Sequence, residues 1–248
     1  VLKKHPGIYH ELFREGHLFL PVCEFLKERL IREGCAEKKI VVHYSGIDCS
    51  KFEYLQRRRE PGEPTKVLTV ARLMEKKGVA FAIEAVAALL AKGEQIEYRV
   101  VGDGPLRGNL QQMIERMGIE RQVKLLGWKT HEDVKRLLEE SHVMVAPSLT
   151  SEGGDQEGIP NAIKEAMATG LPVISTFHSG IPELVTDGVS GFLVPERDAA
   201  SLSASLEYLI KHPRICGEMG LAGRRQVEQK FDTHRLNKEL EELYLSVM

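Results

Sequence analysis

The stretch KVLTVARLMEKKGVAFAIEAVAALLAKGEQIEYRVVGDG (residues 66–104) joins two short β-branched runs through a longer segment rich in Ala and Leu. The runs KVLTVA (66–71) and IEYRVV (96–101) have the length and composition of buried strands. Residues 78–90 between them have helical spacing, and this helix is expected to end near Gly93. A strand, a helix and a second strand in this order predict a parallel βαβ unit.

The same alternation continues toward the C-terminus. Further apolar runs, separated by helical segments, are VKLL (123–126), VMVAP (143–147), PVIS (172–175) and GFLV (191–194). Strands that are apolar along their whole length are buried on both faces, as in parallel sheets covered by helices. The sequence therefore predicts an α/β domain over residues 61–230, built on a Rossmann-like, doubly wound parallel sheet.

Residues 1–60 have a different pattern. HLFLPV (17–22) and KKIVVHY (38–44) are predicted strands, 23–34 is a predicted helix, and QRRREPGEPT (56–65) is a predicted interdomain linker. Two strands are too few for a doubly wound domain, so this region is expected to be the C-terminal remnant of a preceding domain. The first residue is Val1 rather than Met, which also favours a piece of a longer protein.

After Val194 the chain is predicted to be helical, over residues 199–211, 213–230 and 233–247. The last helix carries Leu236, Leu240 and further apolar residues at near-helical spacing, so one of its faces is expected to be buried. Docking on its own domain is the simplest account of that face.

Composition limits the class of protein. With 248 residues, 42% hydrophobic and 28% charged, the chain is long enough to bury a substantial core. Its formal net charge of -2 argues against nucleic acid as a dominant partner, because binding to a nucleic-acid backbone usually shows as a basic excess. Four cysteines without C-x-x-C spacing indicate free thiols in a reducing compartment, and no apolar run approaches the ~20 residues of a membrane helix. The predicted location is the cytoplasm.

The stretch SEGGDQEGIPNAIKEAMATGLPVIS (151–175) places acidic residues and glycines just before a predicted helix. With Pro160 at the first helical position, the unpaired N–H groups of the first turn and the helix dipole favour an anion, phosphate above all. Carboxylates accept hydrogen bonds from sugar hydroxyls, so Glu157 and Glu165 are candidates for holding two sugars. The alternatives are that Glu157 only complements the helix dipole and that Glu165 lies on a solvated surface.

Two cations follow the first strand of the domain, in TVARLMEKKG (69–78). Arg72 lies at the strand end and Lys77 just before the next helix, where the pair would neutralise a diphosphate without a metal. The alternative is two ordinary surface cations. No D-x-D pair or His cluster has metal-ligand spacing, so neither a metal nor a cofactor is expected.

The loop VGDGP (101–105) has a partial likeness to a dinucleotide-binding motif. Gly102, Gly104 and Gly108 give G-x-G-x-x-x-G, one residue off the motif, and the next strand ends in GW (127–128) instead of an acid for a ribose. An NAD-dependent oxidoreductase is therefore disfavoured. The glycines are expected to allow tight backbone turns near a base, and Pro105 is expected in the first turn of a helix.

Taken together, these stretches resemble the retaining glycosyltransferases of family 4, which have the GT-B fold of two facing Rossmann-like domains. The matching stretches, in the family's order, are ARLMEKKG (71–78), VVGDGPL (100–106), LLGW (125–128), VAPS (145–148), EGIPNAIKEAMATGLPVIST (157–176) and SGIPELVTDGVSGFLV (179–194). Residues 17–52 are similar to the end of the family's N-terminal domain. The resemblance implies that this chain is the C-terminal, donor-binding half of such an enzyme.

The resemblance also implies roles for the matched positions. Arg72 and Lys77 would bind the diphosphate, Glu157 the transferred sugar and Glu165 the nucleotide ribose. The first three of these residues would form the catalytic set. Further implied donor-binding positions are Gly104, Gly127 and Trp128 near the base, and Gly158, Ile159, Pro160 and Asn161 at the helix start.

The implied function is transfer of a sugar from a nucleoside-diphosphate sugar, with retention of configuration, to a glycan or lipid-linked acceptor in polysaccharide biosynthesis. The acceptor, and any contact with a membrane surface, would involve the preceding domain, and the helix over 231–248 would cross back to it. This half alone is expected to be inactive. The alternative from the binding class is a nucleotide-sugar binding module without turnover.

Two stretches depart from the family's pattern. TSEGGDQ (150–156) is longer and more acidic than the usual link, and Ser179 stands where a Gly-Gly pair is common. Both lie where the donor sugar is expected, so the identity of that sugar stays open. The insert and HSGIPELV (178–185) most resemble bacterial exopolysaccharide enzymes of the colanic acid and amylovoran type. His178 in this motif is expected to be an ordinary loop residue.

Overall fold

The computed structural model of the chain describes residues 7–60 and 62–247. Its central feature is a six-stranded sheet in which every neighbouring pair of strands is parallel. The strands are β1 (Thr65–Val70), β2 (Ile96–Val101), β3 (Val123–Gly127), β4 (Val143–Ala146), β5 (Val173–Thr176) and β6 (Gly191–Val194). All six strands predicted after residue 61 are therefore confirmed, each with bounds that differ by no more than a residue.

Helices precede, separate and follow the strands. The described residues contain α1 (His10–Glu15), α2 (Glu24–Arg32), α3 (Val79–Ala91), α4 (Arg107–Arg116), α5 (His131–Glu140), α6 (Asn161–Ala168), α7 (Ile181–Leu184), α8 (Ala199–Lys211), α9 (Pro213–Lys230) and α10 (Thr233–Val247). The three predicted C-terminal helices are confirmed. The helix expected to begin at Pro105 begins at Arg107, because Pro105 lies in the preceding turn. None of these helices combines the length and apolar character needed to cross a membrane.

The strand order is β3-β2-β1-β4-β5-β6, so the chain builds the sheet outward from β1 in one direction and then from β4 in the other. Val67 and Leu68, consecutive residues of β1, are both buried and belong to hydrophobic clusters on opposite faces of the sheet. Helices cover both faces, which confirms the predicted doubly wound α/β fold. The ligand crevice of such a sheet lies where the order reverses, outside the carboxyl ends of β1 and β4.

The strands predicted at 17–22 and 38–44 are not formed, so that prediction was wrong. The two segments run side by side and share an isolated parallel bridge between Phe19 and Ile40, with Val41 N–H donating to Phe19 C=O at 3.0 Å. Neither segment joins the six-stranded sheet. Among the described residues neither segment pairs with a third strand, and an isolated pair of extended segments is only marginally stable as a sheet.

The segment predicted as a linker is anchored to the sheet domain. Arg57 is buried, and its guanidinium donates to the carbonyl oxygens of Glu139 (2.6 Å), Ser141 (3.0 Å) and Thr169 (2.8 Å). Three carbonyl oxygens replace the water that this buried cation loses. The first strand then begins at Thr65, inside the predicted linker.

One carboxylate ties the region around α2 to the sheet domain. Glu183 of α7 accepts hydrogen bonds from the main-chain N–H groups of Glu24 (2.9 Å) and Phe25 (3.2 Å), and from the hydroxyl of Tyr44 (3.1 Å). Free N–H groups at a helix start require such acceptors. Glu183 therefore caps α2 from 159 positions away in the sequence.

A second long-range link joins the segment after Tyr44 to the start of α10. Ile47 and Asp232 form a parallel bridge, in which Ile47 N–H donates to Phe231 C=O (2.9 Å). Leu236 is buried, whereas Tyr244, further along the same predicted face, is 56% exposed. The apolar face of α10 is thus covered at its beginning and open further on, and its crossing to a preceding domain stays a prediction.

Candidate functional site

Loops at the carboxyl ends of four neighbouring strands meet in one group of polar side chains. In sheet order, the loop after β1 supplies Lys76 and Lys77, the loop after β4 supplies Glu157, the loop after β5 supplies His178, and the segment after β6 supplies Glu196. Each loop contacts the next through these residues. These five residues are called the switch-point cluster below, because the series begins where the strand order reverses.

Glu157 lies between two lysines. Its Oε1 is 3.0 Å from Lys76 Nζ, and its Oε2 is 2.9 Å from Lys77 Nζ. Burial alone would raise the pKa of Glu157, but the hydrogen bonds and charges of Lys77 and Lys76 outweigh that effect and lower it. Glu157 is therefore an ionised carboxylate, with about half of its roughly four lone-pair positions left for another donor.

Lys76 is a member of the cluster that the sequence analysis missed. It pairs with Asp155 at 3.0 Å as well as with Glu157. Burial alone would lower the pKa of Lys76, but the two carboxylates outweigh it and raise that pKa. The available signal was its place beside Lys77 in a short 3-10 turn, Glu75–Lys77, which presents both ammonium groups to the same carboxylate.

The acidic insert at 150–156 packs against the loop after β1. Glu152 N–H donates to Glu75 Oε1 at 2.8 Å, and the carboxylate of Asp155 pairs with Lys76. The insert therefore contacts both a carboxylate, Glu75, and an ammonium group, Lys76, of that loop. Asp155 therefore helps to hold Lys76 in place.

His178 is buried, 1% exposed, and uses both ring nitrogens to join neighbouring loops. Nε2 accepts a hydrogen bond from Glu157 N–H (3.1 Å), and Nδ1 lies 2.6 Å from Glu196 Oε1. A main-chain N–H can only donate, so Nε2 is the bare nitrogen and Nδ1 carries the proton that it donates to Glu196. The residue expected to be an ordinary loop histidine is thus the centre of the switch-point cluster.

Glu196 is fixed by a second set of donors. Its Oε2 accepts a hydrogen bond from Thr150 N–H (2.8 Å) and lies 3.5 Å from Arg197 Nη1. Burial alone would raise the pKa of Glu196, but the hydrogen bonds from Thr150 and His178 outweigh it and lower that pKa. Glu196 is therefore an ionised acceptor. Nothing in the sequence selected it except its place after a strand.

Helix α6 begins one residue later than predicted. Pro160 has extended backbone angles, φ -63° and ψ 130°, and stands before the first helical residue, Asn161. It is the N-cap residue, because the fixed φ of proline suits the extended cap conformation as well as the helix, and its carbonyl accepts Ile163 N–H at 3.2 Å. The N–H groups of Asn161 and Ala162 have no acceptor within the helix, so two donors and the positive dipole end remain.

The residues just before α6 face protein. Pro160 is buried, and a Cβ atom added at Gly180 would lie 2.7 Å from the side chain of Ile159. A Cβ atom added at Gly158 would lie 3.3 Å from Val22. Of these implied donor positions, Pro160 is therefore buried, whereas Gly158 and Ile159 are half-buried.

Glu165 lies apart from the cluster, as the fifth residue of α6. Burial raises its pKa, partly opposed by the charges of His131 and Lys164, and no described residue donates a hydrogen bond to its carboxylate. The neighbouring Lys164 is fully buried. It donates a hydrogen bond to Ser45 C=O, and its ammonium lies 5.7 Å from the ring centroid of Phe231. Burial lowers the pKa of Lys164 to about 8.

Arg72 is exposed at the end of β1, and its guanidinium forms no ion pair with any residue that the structure describes. The backbone beside it packs on the glycine loop after β2: Leu73 N–H donates to Asp103 C=O at 2.9 Å. A Cβ atom at Gly102, where φ is 126°, would lie 1.9 Å from Ala71 C=O. The predicted tight turn is therefore present, and glycine is needed there for close backbone approach.

The positions implied for the base lie near the β3 edge of the sheet. Trp128 is 73% exposed, and a Cβ atom added at Gly127 would lie 3.3 Å from Arg107 Nη1. That nitrogen is buried and has no hydrogen-bond partner in the described part of the chain. Arg107 is thus a polar neighbour of Gly127 that the sequence analysis did not select.

Two cations, a carboxylate and a helix start are brought together at the switch point, whereas among the described residues Glu165 and Trp128 form no hydrogen bond or ion pair with that group. Such an arrangement can bind an anion and a hydroxyl-bearing group side by side. Within residues 7–60 and 62–247, no three His, Cys, Asp or Glu side chains are grouped so that they could hold a metal ion.

Sequence relatives match the chain along nearly its whole length. The amylovoran biosynthesis glycosyltransferase AmsK of Erwinia amylovora is 42% identical over 243 residues, which are 98% of this chain and 60% of AmsK. WcaL of Salmonella typhimurium, which carries the name of a colanic acid biosynthesis glycosyltransferase, is 41% identical over 249 residues, 100% of this chain and 61% of WcaL. The chain thus spans about 60% of the length of these curated relatives.

A solved structure shares the fold. Anabaena Alr3699/HepE in complex with UDP and glucose matches with a TM-score of 0.84 at 24% identity, over 96% of this chain and 65% of that chain. A family model described as Glycosyl transferases group 1 matches residues 50–226. The predicted resemblance, including that to the colanic acid and amylovoran enzymes, is confirmed by these matches. The chain therefore belongs to the family of glycosyl transferases group 1.

Proposed function

We propose that the chain is the donor-binding half of a glycosyltransferase that moves a sugar from a nucleoside-diphosphate sugar to a glycan or lipid-linked acceptor. One observation carries the proposal: Glu157 is held between Lys76 and Lys77 at the switch point of the sheet, just before α6. Cations and free helix donors suit a diphosphate, and the remaining lone pairs of Glu157 suit sugar hydroxyls.

The transfer breaks the bond between the anomeric carbon and the diphosphate, so negative charge grows on the β-phosphate in the transition state. Arg72, Lys77 and the free N–H of Asn161 are the groups that would meet this charge. Loss of one such donor typically costs ~3 to 4 kcal/mol of transition-state stabilisation. Glu157 would orient the transferred sugar and Glu165 the ribose. We propose that configuration is retained and that the cations and helix start serve in place of a metal.

The relatives support a class of pathway and a first donor to test. AmsK and WcaL are named for the biosynthesis of amylovoran and colanic acid, which supports a role in exopolysaccharide biosynthesis. HepE was solved with UDP and glucose, so UDP-glucose is the first probe. The described cysteines, all buried and free, support a reducing compartment, and we propose the cytoplasm.

The chain alone is proposed to bind the donor without transferring it. The matched relatives are longer by about two fifths of their length, and the acceptor site is assigned to that remaining part. The full-length protein should then turn over a donor that the present chain only holds.

Isothermal titration calorimetry with UDP-glucose, UDP and NAD tests the proposal. UDP-glucose and UDP should bind, NAD should not, and Arg72→Ala should weaken both nucleotide ligands. Arg58→Ala, at an exposed arginine before β1, is the matched control. Binding of NAD without UDP would contradict the proposal. A thermal-shift panel of UDP-, GDP- and ADP-sugars then identifies the base, since a ligand at 100 times its Kd adds ~2.7 kcal/mol.

A further inference from the structure

We propose that His178 and Glu196 are positioning residues, which hold the main chain of Glu157 so that its carboxylate can take the donor sugar. The proposal rests on the donor-binding function proposed above and adds two residues to that site. Neither residue needs to touch the ligand. They act through hydrogen bonds that run from β6 through β5 to the loop after β4.

The carboxylate and the main chain of Glu157 are held from opposite sides. On the β1 side, Lys76 and Lys77 fix the carboxylate. On the β5 side, His178 Nε2 fixes the main-chain N–H at 3.1 Å. A residue held at both ends has lost most of the freedom that ligand binding would otherwise have to remove.

The hydrogen bonds from Glu157 through His178 to Glu196 form a relay. The main-chain N–H of Glu157, at one end of it, fixes the direction of both bonds. Glu157 N–H can only donate, so His178 must offer a bare Nε2 and carry its proton on Nδ1. Glu196, an ionised carboxylate, is the acceptor for that proton at 2.6 Å. Thus Glu196 selects the tautomer of His178, and the tautomer decides whether the loop of Glu157 is held.

His178 is too deeply buried for solvent to replace either bond. Its side chain has no exposed surface, and its own main chain is held by His178 N–H donating to Thr176 C=O at 2.7 Å. The next residue, Ser179, has a φ of 48°, a conformation that few residues other than glycine adopt. The ring therefore cannot turn outward without disturbing this strained turn.

The substitution Glu196→Gln tests the relay with almost no change in shape. Oε2 of Glu196 faces two donors, Thr150 N–H and Arg197 Nη1, so the oxygen of the glutamine amide must take that position. The amide NH2 then faces His178 Nδ1 and donates to it. His178 is then forced into the tautomer with the proton on Nε2. That proton faces the N–H of Glu157, and two donors cannot form a hydrogen bond with each other.

The experiment uses the whole chain labelled with 15N-histidine. In the wild type the His178 signals, assigned by comparison with His178→Gln, should show the proton on Nδ1, and in Glu196→Gln on Nε2. Calorimetry on the same samples should show UDP-glucose binding weakened about tenfold by Glu196→Gln and UDP binding nearly unchanged. Glu207→Gln, a carboxylate of α8 that pairs with Lys92, is the control and should change neither measurement.

The outcomes separate this proposal from the function on which it rests. If wild type binds neither UDP-glucose nor any other nucleotide-sugar, the proposed function fails, and the assignment of a donor-positioning role fails with it. If wild type binds UDP-glucose and Glu196→Gln binds it equally well, the positioning role alone is overturned. A wild-type proton on Nε2, or an equal loss of UDP and UDP-glucose, also overturns it.

Discussion

Lys77 Nζ lies 2.9 Å from Glu157 Oε2, so the residue expected to bind the diphosphate and the residue expected to bind the sugar are partners of each other. Lys76 completes the group from the other oxygen of the carboxylate. Because Asp155 also pairs with Lys76, the two lysines face two carboxylates, and the formal charges of the four residues cancel. A diphosphate would have to share Lys77 with Glu157, whereas the exposed Arg72 has no such competitor among the described residues.

Replacing Arg72 or Lys77 by alanine should weaken a nucleoside diphosphate much more than the bare nucleoside. Each substitution removes a charge-assisted contact with phosphate, worth about 1.5 to 3 kcal/mol, which is tenfold or more in Kd. Calorimetry with UDP and uridine measures the difference. Arg58→Ala is the control, and equal losses for UDP and uridine would refute the assignment of these two cations.

The two glutamates should respond differently to ligand. Glu157→Gln should lower the affinity for UDP-glucose about tenfold or more and leave UDP nearly unchanged, because only the first ligand carries the sugar. Glu165→Gln should weaken both, since each ligand carries the ribose. Four Kd values, for two variants and two ligands, test this pattern.

A loss of UDP by the Glu157 variant as large as that of the Glu165 variant would contradict the assignment. Carboxylates that merely complement the helix dipole would give a third result. They would lower the melting temperature slightly and show no dependence on the ligand.

Gly78→Ala should destabilise the fold more than the chemically identical change at Gly118. Both glycines have left-handed backbones, with φ of 62° and 66°, so alanine costs about 1 kcal/mol at each. At Gly78 the new Cβ would also lie 1.9 Å from Pro147 C=O, whereas nothing lies within 4 Å at Gly118. The overlap should add roughly 1 to 3 kcal/mol to the loss of unfolding free energy, measured by urea denaturation. Equal losses would show that the loops after β1 and β4 separate freely at this point.

Stability should rise between pH 8 and pH 10 through Lys164. Burial sets the pKa of Lys164 at about 8 in the folded chain, against 10.5 for a free lysine, so the unfolded state binds more protons in that window. The full difference corresponds to about 3 kcal/mol in unfolding free energy. Lys164→Met should abolish this part of the rise, because methionine fills the site without a charge.

The comparison of wild type and Lys164→Met cancels the titration of other lysines. Unfolding free energies at pH 7.5 and pH 10 give the difference directly. Curves of wild type and variant that stay parallel between these pH values would exclude a buried, charged Lys164.

Binding of the donor should survive removal of metals. Two cations and the start of α6 are assigned to the diphosphate, so UDP-glucose should bind with the same Kd in EDTA as in magnesium or manganese. The measurement is calorimetry in both buffers. A requirement for either metal would overturn the metal-free part of the proposed function.

Much of the fold was predictable because its strands are buried on both faces. Val67 and Leu68 belong to different clusters, so two consecutive apolar residues in β1 are needed to cover both faces of the sheet. The run at 38–44 looks similar but forms a bridge with only one other extended segment of the described chain, and sequence periodicity does not report how many strands lie beside a segment. The strands that were wrongly predicted are the ones without a sheet.

A site residue was predictable from the sequence where its role depends only on its own type and its place after a predicted strand. Lys77 and Glu157 each follow a strand, and the doubly wound fold brings such positions together. His178 and Glu196 could not be found in this way, because the role of each depends on the other and on one N–H of Glu157. A buried histidine and a carboxylate 18 positions apart carry no local signal.

The bond from Cys49 N–H to Asp232 Oδ2, beside the bridge of Ile47, closes a loop of 183 positions. Contacts between such distant positions form late, because closing a long loop costs entropy before any contact repays it. Synthesis proceeds from the N-terminus, so residues 17–52 leave the ribosome long before their partners, Glu183 of α7 and Asp232 just before α10, exist. Residues 17–52 are therefore made before the segments that hold them, and they dock only after those segments have formed.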